Sequence, residues 1–131
     1  MAEQSARPLS PHLGVWRWGP GMAASIFHRI SGGGLTVVGL AVLTWWLLAL
    51  STGRDAYGDF SAIAGTWVGL VVLIGLTWAF FQHLLSGIRH LVMDTGRNFE
   101  VKANNTGAIT VFVGAVVLTA ALWFYILGVA K

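Results

Sequence analysis

Three long stretches of this sequence carry no charge, and they dictate the solvent in which it can fold. Ile30 to Gly53 contains SGGGLTVVGLAVLTWWLLAL, Phe60 to Gln82 contains AIAGTWVGLVVLIGLTWAFF, and Ala103 to Ala130 contains TGAITVFVGAVVLTAALWFYILGVA. A helix needs about 20 apolar residues to cross the hydrocarbon layer, and each run supplies them. A single segment satisfies its own backbone in lipid only as a helix. The expected fold class is therefore an all-α membrane protein with three transmembrane helices, at about 22–51, 62–94 and 104–129 in one domain, 1–131. Composition agrees: 56% of residues are hydrophobic and 10% charged, against about 25% charged in soluble domains.

With so few charges, each can be placed. Arg7, Arg17 and Arg29 precede or open the first run, and Arg89, Arg97 and Lys102 surround the second connection. Arg54 and Lys131 stand on the other side. Lys and Arg concentrate in cytoplasmic segments, so the expected orientation has the N-terminus and second connection in the cytoplasm and the C-terminus outside. GPG at 19–21 breaks the chain before the first span, and DTGRN at 94–98 closes the second. SPHLGVWRWG, 10–19, mixes aromatics with Arg17 and is expected to lie at the cytoplasmic interface with Trp16 and Trp18 among the headgroups. The first residues do not have the pattern of a cleaved signal, so the spans themselves are expected to direct insertion. Gly65 and Gly69 form a G-x-x-x-G, either a close-packing face for a neighbouring helix or ordinary membrane-helix composition.

The absence of cysteine excludes disulfides, iron–sulfur ligation by this chain and covalent haem attachment through C-x-x-C-H. No basic stripe is available for nucleic acid.

Ionisable groups at membrane depth are costly and usually functional. In HLLSGIRH, His83, Ser86, Gly87 and His90 are spaced i, i+3, i+4 and i+7 and share one helix face. His83 lies about 15 Å inside the helix end, too deep for easy contact with water. A neutral imidazole there needs a metal or a hydrogen-bonding partner such as a serine or a main-chain carbonyl. Gly87 would let a flat cofactor approach. His83 and His90 cannot grip one iron together, because seven helical residues separate them by about 10 Å. A second axial ligand must come from another helix, either His28 of this chain or a partner subunit. His90 sits nearer the interface, where a snorkelling or surface histidine beside Arg89 is the better reading than a ligand. In SIFHR, Ser25 and Arg29 are i and i+4, and a hydroxyl one turn from a guanidinium suits a carbonyl or carboxylate at the membrane surface. Arg29 alone is also explained as a positive-inside anchor.

RPLSPHL (7–13), SIFHRISG (25–32) and HLLSGIRHLVMD (83–94), in that order, resemble the cytochrome b subunit of succinate dehydrogenase. That family often has Asn where Ser86 stands and Trp where Met93 stands. The resemblance implies half of a haem-binding helical bundle in a bacterial inner membrane. His83 would be an axial ligand of haem b, with the opposite ligand from a companion membrane-anchor subunit. His28, Arg29 and His90 would lie near the haem propionates, Ser25 and Arg29 would line a ubiquinone pocket, and Asp94 would sit at the cytoplasmic rim. Flavoprotein and iron–sulfur subunits would deliver electrons from succinate, which this chain would not touch, to ubiquinone as the substrate reduced. A fumarate reductase anchor is the alternative within the class. A small helical transporter with a His–Arg relay is the alternative outside it, although the third run has no charged residue or histidine between Lys102 and Lys131. A purely structural anchor without cofactor is a third alternative, and it leaves His83 unexplained.

Overall fold

A computed structural model of the chain describes residues 18–129, all of them helical or in short connections, with no strand. Most of SPHLGVWRWG, and Trp16 with it, falls outside the described residues. The elements are α1 (Pro20–Thr52), α2 (Arg54–Ala64), α3 (Trp67–Asp94) and α4 (Val101–Gly128). Three of them, α1, α3 and α4, are long and apolar enough to cross a membrane. Each packs against the other two.

Pro20 opens α1 at a position where its missing N–H costs nothing. Five residues within α1, Leu35–Gly39, form a π-helical turn. It follows three glycines, which contribute no side chains to hold the α register, and Thr36 Oγ donates to Gly32 O at 2.9 Å. Gly53 ends α1 with φ 130° and ψ −172°, a backbone conformation essentially reserved for glycine.

The connection beyond Gly53 holds a helix that hydropathy merges into the second run. Asp55 in the first turn of α2 complements the helix dipole, and Phe60 packs edge-on against Trp45 of α1 at 4.8 Å between ring centroids. Thr66 then turns extended and caps α3, its Oγ accepting from Gly69 N at 3.1 Å. The second membrane helix therefore starts at Trp67 rather than near residue 62. The G-x-x-x-G reading changes with it. Gly65 lies outside α3, and a Cβ on Gly69 would stand 2.3 Å from Ile63 O and 2.6 Å from Ala64 O. Gly69 is small so that α3 can fold against the end of α2, not to receive a neighbouring membrane helix.

The interior between the three long helices is narrow and partly polar. Ala24, Ala108, Val111 and Ala115 are buried there, and so are Ser31, Gln82, Ser86, Arg89 and Thr119. Small residues bring membrane helices close enough for dispersion and interhelical hydrogen bonds to act. Phe27 of α1 meets Trp78 of α3 and Phe112 of α4 edge-on, at 5.9 and 5.4 Å. Nearer the far end, Trp123 Nε1 donates to Thr77 Oγ1 at 3.2 Å. Leucines, valines and tryptophans cover the outside, as a lipid-facing surface requires.

Candidate functional site

Apart from Arg54, the described basic side chains gather at one end of the bundle, because α1 enters, α3 leaves and α4 re-enters there. His28 stands eight residues into α1 and His83 eleven residues from the end of α3, about 12 and 16 Å along their axes. The two reach one level. Their imidazoles stack, with centroids 4.0 Å apart and planes 8° from parallel. His90, one further turn pair toward the end of α3, meets His28 edge-on at 5.2 Å. All three are half-buried. The three histidines are thus brought together, and His90 belongs to the group rather than to the open surface. Among the described residues, no cluster of three or more His and acidic side chains is arranged to hold a metal ion.

His83 is seated by α1. Its Nδ1 lies 3.0 Å from the main-chain oxygen of His28 and 3.4 Å from Ser31 Oγ. Ser31 Oγ in turn donates to His28 O at 3.0 Å. A Cβ on Gly32 would fall 2.8 Å from Cε1 of His83, so the ring rests where only glycine leaves room. The space over Gly87 is taken by the His28 ring, whose Cε1 lies 3.9 Å from where a Cβ would stand.

Stacking also bears on in-chain ligation. The lone pairs of an imidazole lie in its ring plane. Two rings stacked face to face point their lone pairs side by side, not at a common atom between them. His28 and His83 are therefore not disposed as opposite ligands of one iron.

Ser25 is half-buried one turn before Arg29, and Arg29 is exposed, without a hydrogen bond or ion pair to another described residue. Arg89 behaves differently. It is 9% exposed and donates through Nη2 to Asn104 Oδ1 of α4, while the absent side chain of Gly107 lets its Nε pass close. Asn105 accepts from Gly21 N at 3.3 Å. The two asparagines thus tie the start of α4 to both α3 and α1. Arg89 is turned into the bundle rather than along its open edge.

Several polar atoms in this interior meet no partner among the described residues. They are Nε2 and Oε1 of Gln82, Oγ of Ser86 and Nδ1 of His28. Gln82 and Ser86 are wholly buried and one turn apart on α3. Sequence reading passed over Gln82, Asn104, Asn105, Ser31 and Gly32 as functional positions. The signal for the first three was available: amides within or at the start of otherwise apolar runs.

Comparison with known proteins agrees with this architecture. Residues 3–122 match the succinate dehydrogenase/fumarate reductase transmembrane subunit family. The chain is 39% identical to the succinate dehydrogenase cytochrome b556 subunit of Paracoccus denitrificans, over 86% of this chain and 85% of that one. It is 37% identical to the cytochrome b556 subunit of Rickettsia felis, over 89% and 90%. It is 33% identical to the mitochondrial cytochrome b560 subunit of Mus musculus, over 90% of this chain and 70% of that one. Three apolar helices, a histidine group at their basic end and likeness along nearly the whole chain lead to one conclusion: this protein belongs to the succinate dehydrogenase/fumarate reductase transmembrane subunit family.

Proposed function

We propose that the chain is the cytochrome b membrane anchor of a succinate:ubiquinone oxidoreductase, with its N-terminus cytoplasmic in a bacterial inner membrane. The observation that carries this is His83, held by α1 at membrane depth with its Nδ1 engaged and its Nε2 making no hydrogen bond to a described residue, in a chain whose relatives are cytochrome b556 subunits. Haem b fits the residues present: a neutral imidazole nitrogen for the iron, and His28, Arg29 and His90 as a basic edge for the propionates. The orphaned Nδ1 of His28 and the amide of Gln82 supply polar atoms inside an otherwise apolar wall. The stacked geometry of His28 supports a companion membrane subunit as the source of a second residue that would hold the haem. When bound, haem b supplies a one-electron acceptor beside the path to quinone.

Ser25 and Arg29 are the residues of this chain assigned to ubiquinone. A quinone is an apolar ring with two carbonyls and needs an apolar slot with a few placed donors. Ser25 can donate to a carbonyl, and Arg29, exposed and without an ion pair among the described residues, can stabilise the negative charge that reduction places on that oxygen. The flavoprotein and iron–sulfur subunits would dock at the basic end, and succinate would be oxidised wholly outside this chain.

The test is a reduced-minus-oxidised visible spectrum of the assembly purified through this chain in mild detergent. The expected result is a b-type haem signal elicited by succinate and lost in His83→Ala. Full haem content in an intact His83→Ala assembly would remove His83 as ligand. An intact assembly without haem would leave a cofactor-free anchor.

A further inference from the structure

The Ser-Gly pair that follows His28-Arg29-Ile30 has no role in the reading above, yet it touches His83 directly. Ser31 is 3% exposed, and its hydroxyl joins both the His28 carbonyl and the His83 ring. Gly32 is the residue against which that ring lies. We infer that Ser31 and Gly32 are positioning residues for His83: with the His28 main-chain carbonyl they fix its Nδ1–H tautomer and its ring plane, so that Nε2 is the nitrogen presented to iron. This rests on the assignment of His83 as haem ligand.

The tautomer follows from the chemistry of the partners. A carbonyl oxygen has lone pairs and no proton to give, so an imidazole nitrogen 3.0 Å from His28 O must be the one that carries hydrogen. Ser31 Oγ already donates to the same carbonyl. Toward Nδ1 it can then only accept, which again requires Nδ1–H. A neutral imidazole has one N–H, so Nε2 is left with its lone pair free. Histidines that bind metals characteristically donate their other N–H to a carbonyl or carboxylate, which sets ring orientation and raises ligand basicity.

The helix supplies this arrangement locally. A hydroxyl at i+3 from a carbonyl back-bonds it within the same turn, so a serine three residues after His28 is in reach of the oxygen that also receives His83. A residue larger than glycine at position 32 would push the ring from its seat, because the contact falls on a ring atom of a side chain wedged between two helices. His28 therefore contributes through its main chain even where its side chain is replaced, which separates it from Ser31 and Gly32 experimentally.

Two measurements test this. In the full chain, ¹⁵N-labelled at histidine and reconstituted in lipid without haem, NMR reads the His83 tautomer, with the signal assigned by its loss in His83→Gln. The expected wild-type result is protonated Nδ1 and bare Nε2, with the Nδ1–H resonance shifted in Ser31→Ala, where only the His28 carbonyl still accepts from it. A His83 protonated at Nε2 in the wild type overturns the inference, whatever haem does. In the assembled complex, transfer of haem to apomyoglobin should be about 10-fold or more faster in Ser31→Ala and in Gly32→Ala, the size typical of losing an outer-shell partner of a metal ligand. Ser31→Thr, which keeps the hydroxyl, should restore the wild-type rate. Unchanged haem release in both variants also overturns the inference. Haem retained in full by His83→Ala would instead overturn the ligand assignment, leaving the tautomer result standing as a packing property.

Discussion

Arg89 and Asn104 offer the most direct test of how this bundle is held at its basic end. The guanidinium is almost wholly buried between α3 and α4, and among the described residues its hydrogen-bond acceptor is Asn104 Oδ1 and no acidic side chain pairs with it. Asn104→Ala removes that acceptor and leaves a buried cation facing an alanine. A hydrogen bond to a charged group is worth about 1.5–3 kcal/mol. The site lies within reach of the headgroups, where an arginine can partly snorkel, so about 2 kcal/mol is expected. Arg89→Met keeps the stem but removes the charge, and should cost about 1–2 kcal/mol through the orphaned Asn104 amide. In the double variant neither orphan remains, and the costs should fail to add by about 1–1.5 kcal/mol. That is toward the top of the range seen for polar pairs between membrane helices, about 0.6 on average and 1.7 at most. The assay is reversible unfolding of the full chain in mixed micelles, followed by tryptophan fluorescence for wild type, both single variants and the double. Costs that add to within about 0.5 kcal/mol, the behaviour of independent sites, would refute the claim that Arg89 depends on Asn104.

Gly69→Ala should destabilise by about 1–3 kcal/mol, because the new Cβ would meet two main-chain oxygens of α2 that cannot move aside; Gly75→Ala, with open space around it, should be neutral or slightly stabilising in the same micelle unfolding assay. Gly53→Ala forces a Cβ into the conformation that ends α1 and should cost about 1–3 kcal/mol, read as a lowered unfolding midpoint. Arg29→Leu and Ser25→Ala should each slow quinone reduction by at least about tenfold, in line with loss of a donor at a developing charge, while succinate oxidation with an artificial acceptor continues. Equal loss of both activities would point to failed assembly.

What could be read from the sequence divides along a physical line. Burial in lipid writes itself into hydropathy, so the three spans were legible, and charge is so scarce that the basic end was legible too. The shared face of His83 and His90 follows from helical spacing alone. The short helix α2 was not legible, because Phe60 to Ala64 is apolar and runs without charge into Thr66, and only the turn at Gly65–Thr66 separates them. Gly65 and Gly69 matched a helix-packing pattern, but spacing does not say whether both glycines lie in one helix. Asn104 and Asn105 were passed over because amides leave no mark on a charge count. The contact of Ser31 and Gly32 with His83 is made between residues more than fifty apart, and no local pattern encodes it. The sequence reading offered a metal, or a serine or main-chain carbonyl, as alternative partners for His83; the structure supplies the serine and the carbonyl at one nitrogen, and the other makes no hydrogen bond to a described residue.

The unequal lengths of the helices fix where the bundle rides in the bilayer. From the level at which Gly21 meets Asn105, α1 runs about 46 Å and α4 about 35 Å, at 1.5 Å per residue. The excess of α1 emerges at the far end, and α2, about 16 Å long, folds back along it so that α3 can enter at the right height. Trp45, Trp46, Tyr57 and Trp67 are exposed around that fold-back, as a ring of side chains that prefers the water boundary. With arginines at one boundary and this aromatic ring at the other, the protein cannot slide along the membrane normal. A thinner or thicker bilayer must then deform around it or tilt it. The histidines then keep their depth below the basic boundary in membranes of differing lipid length.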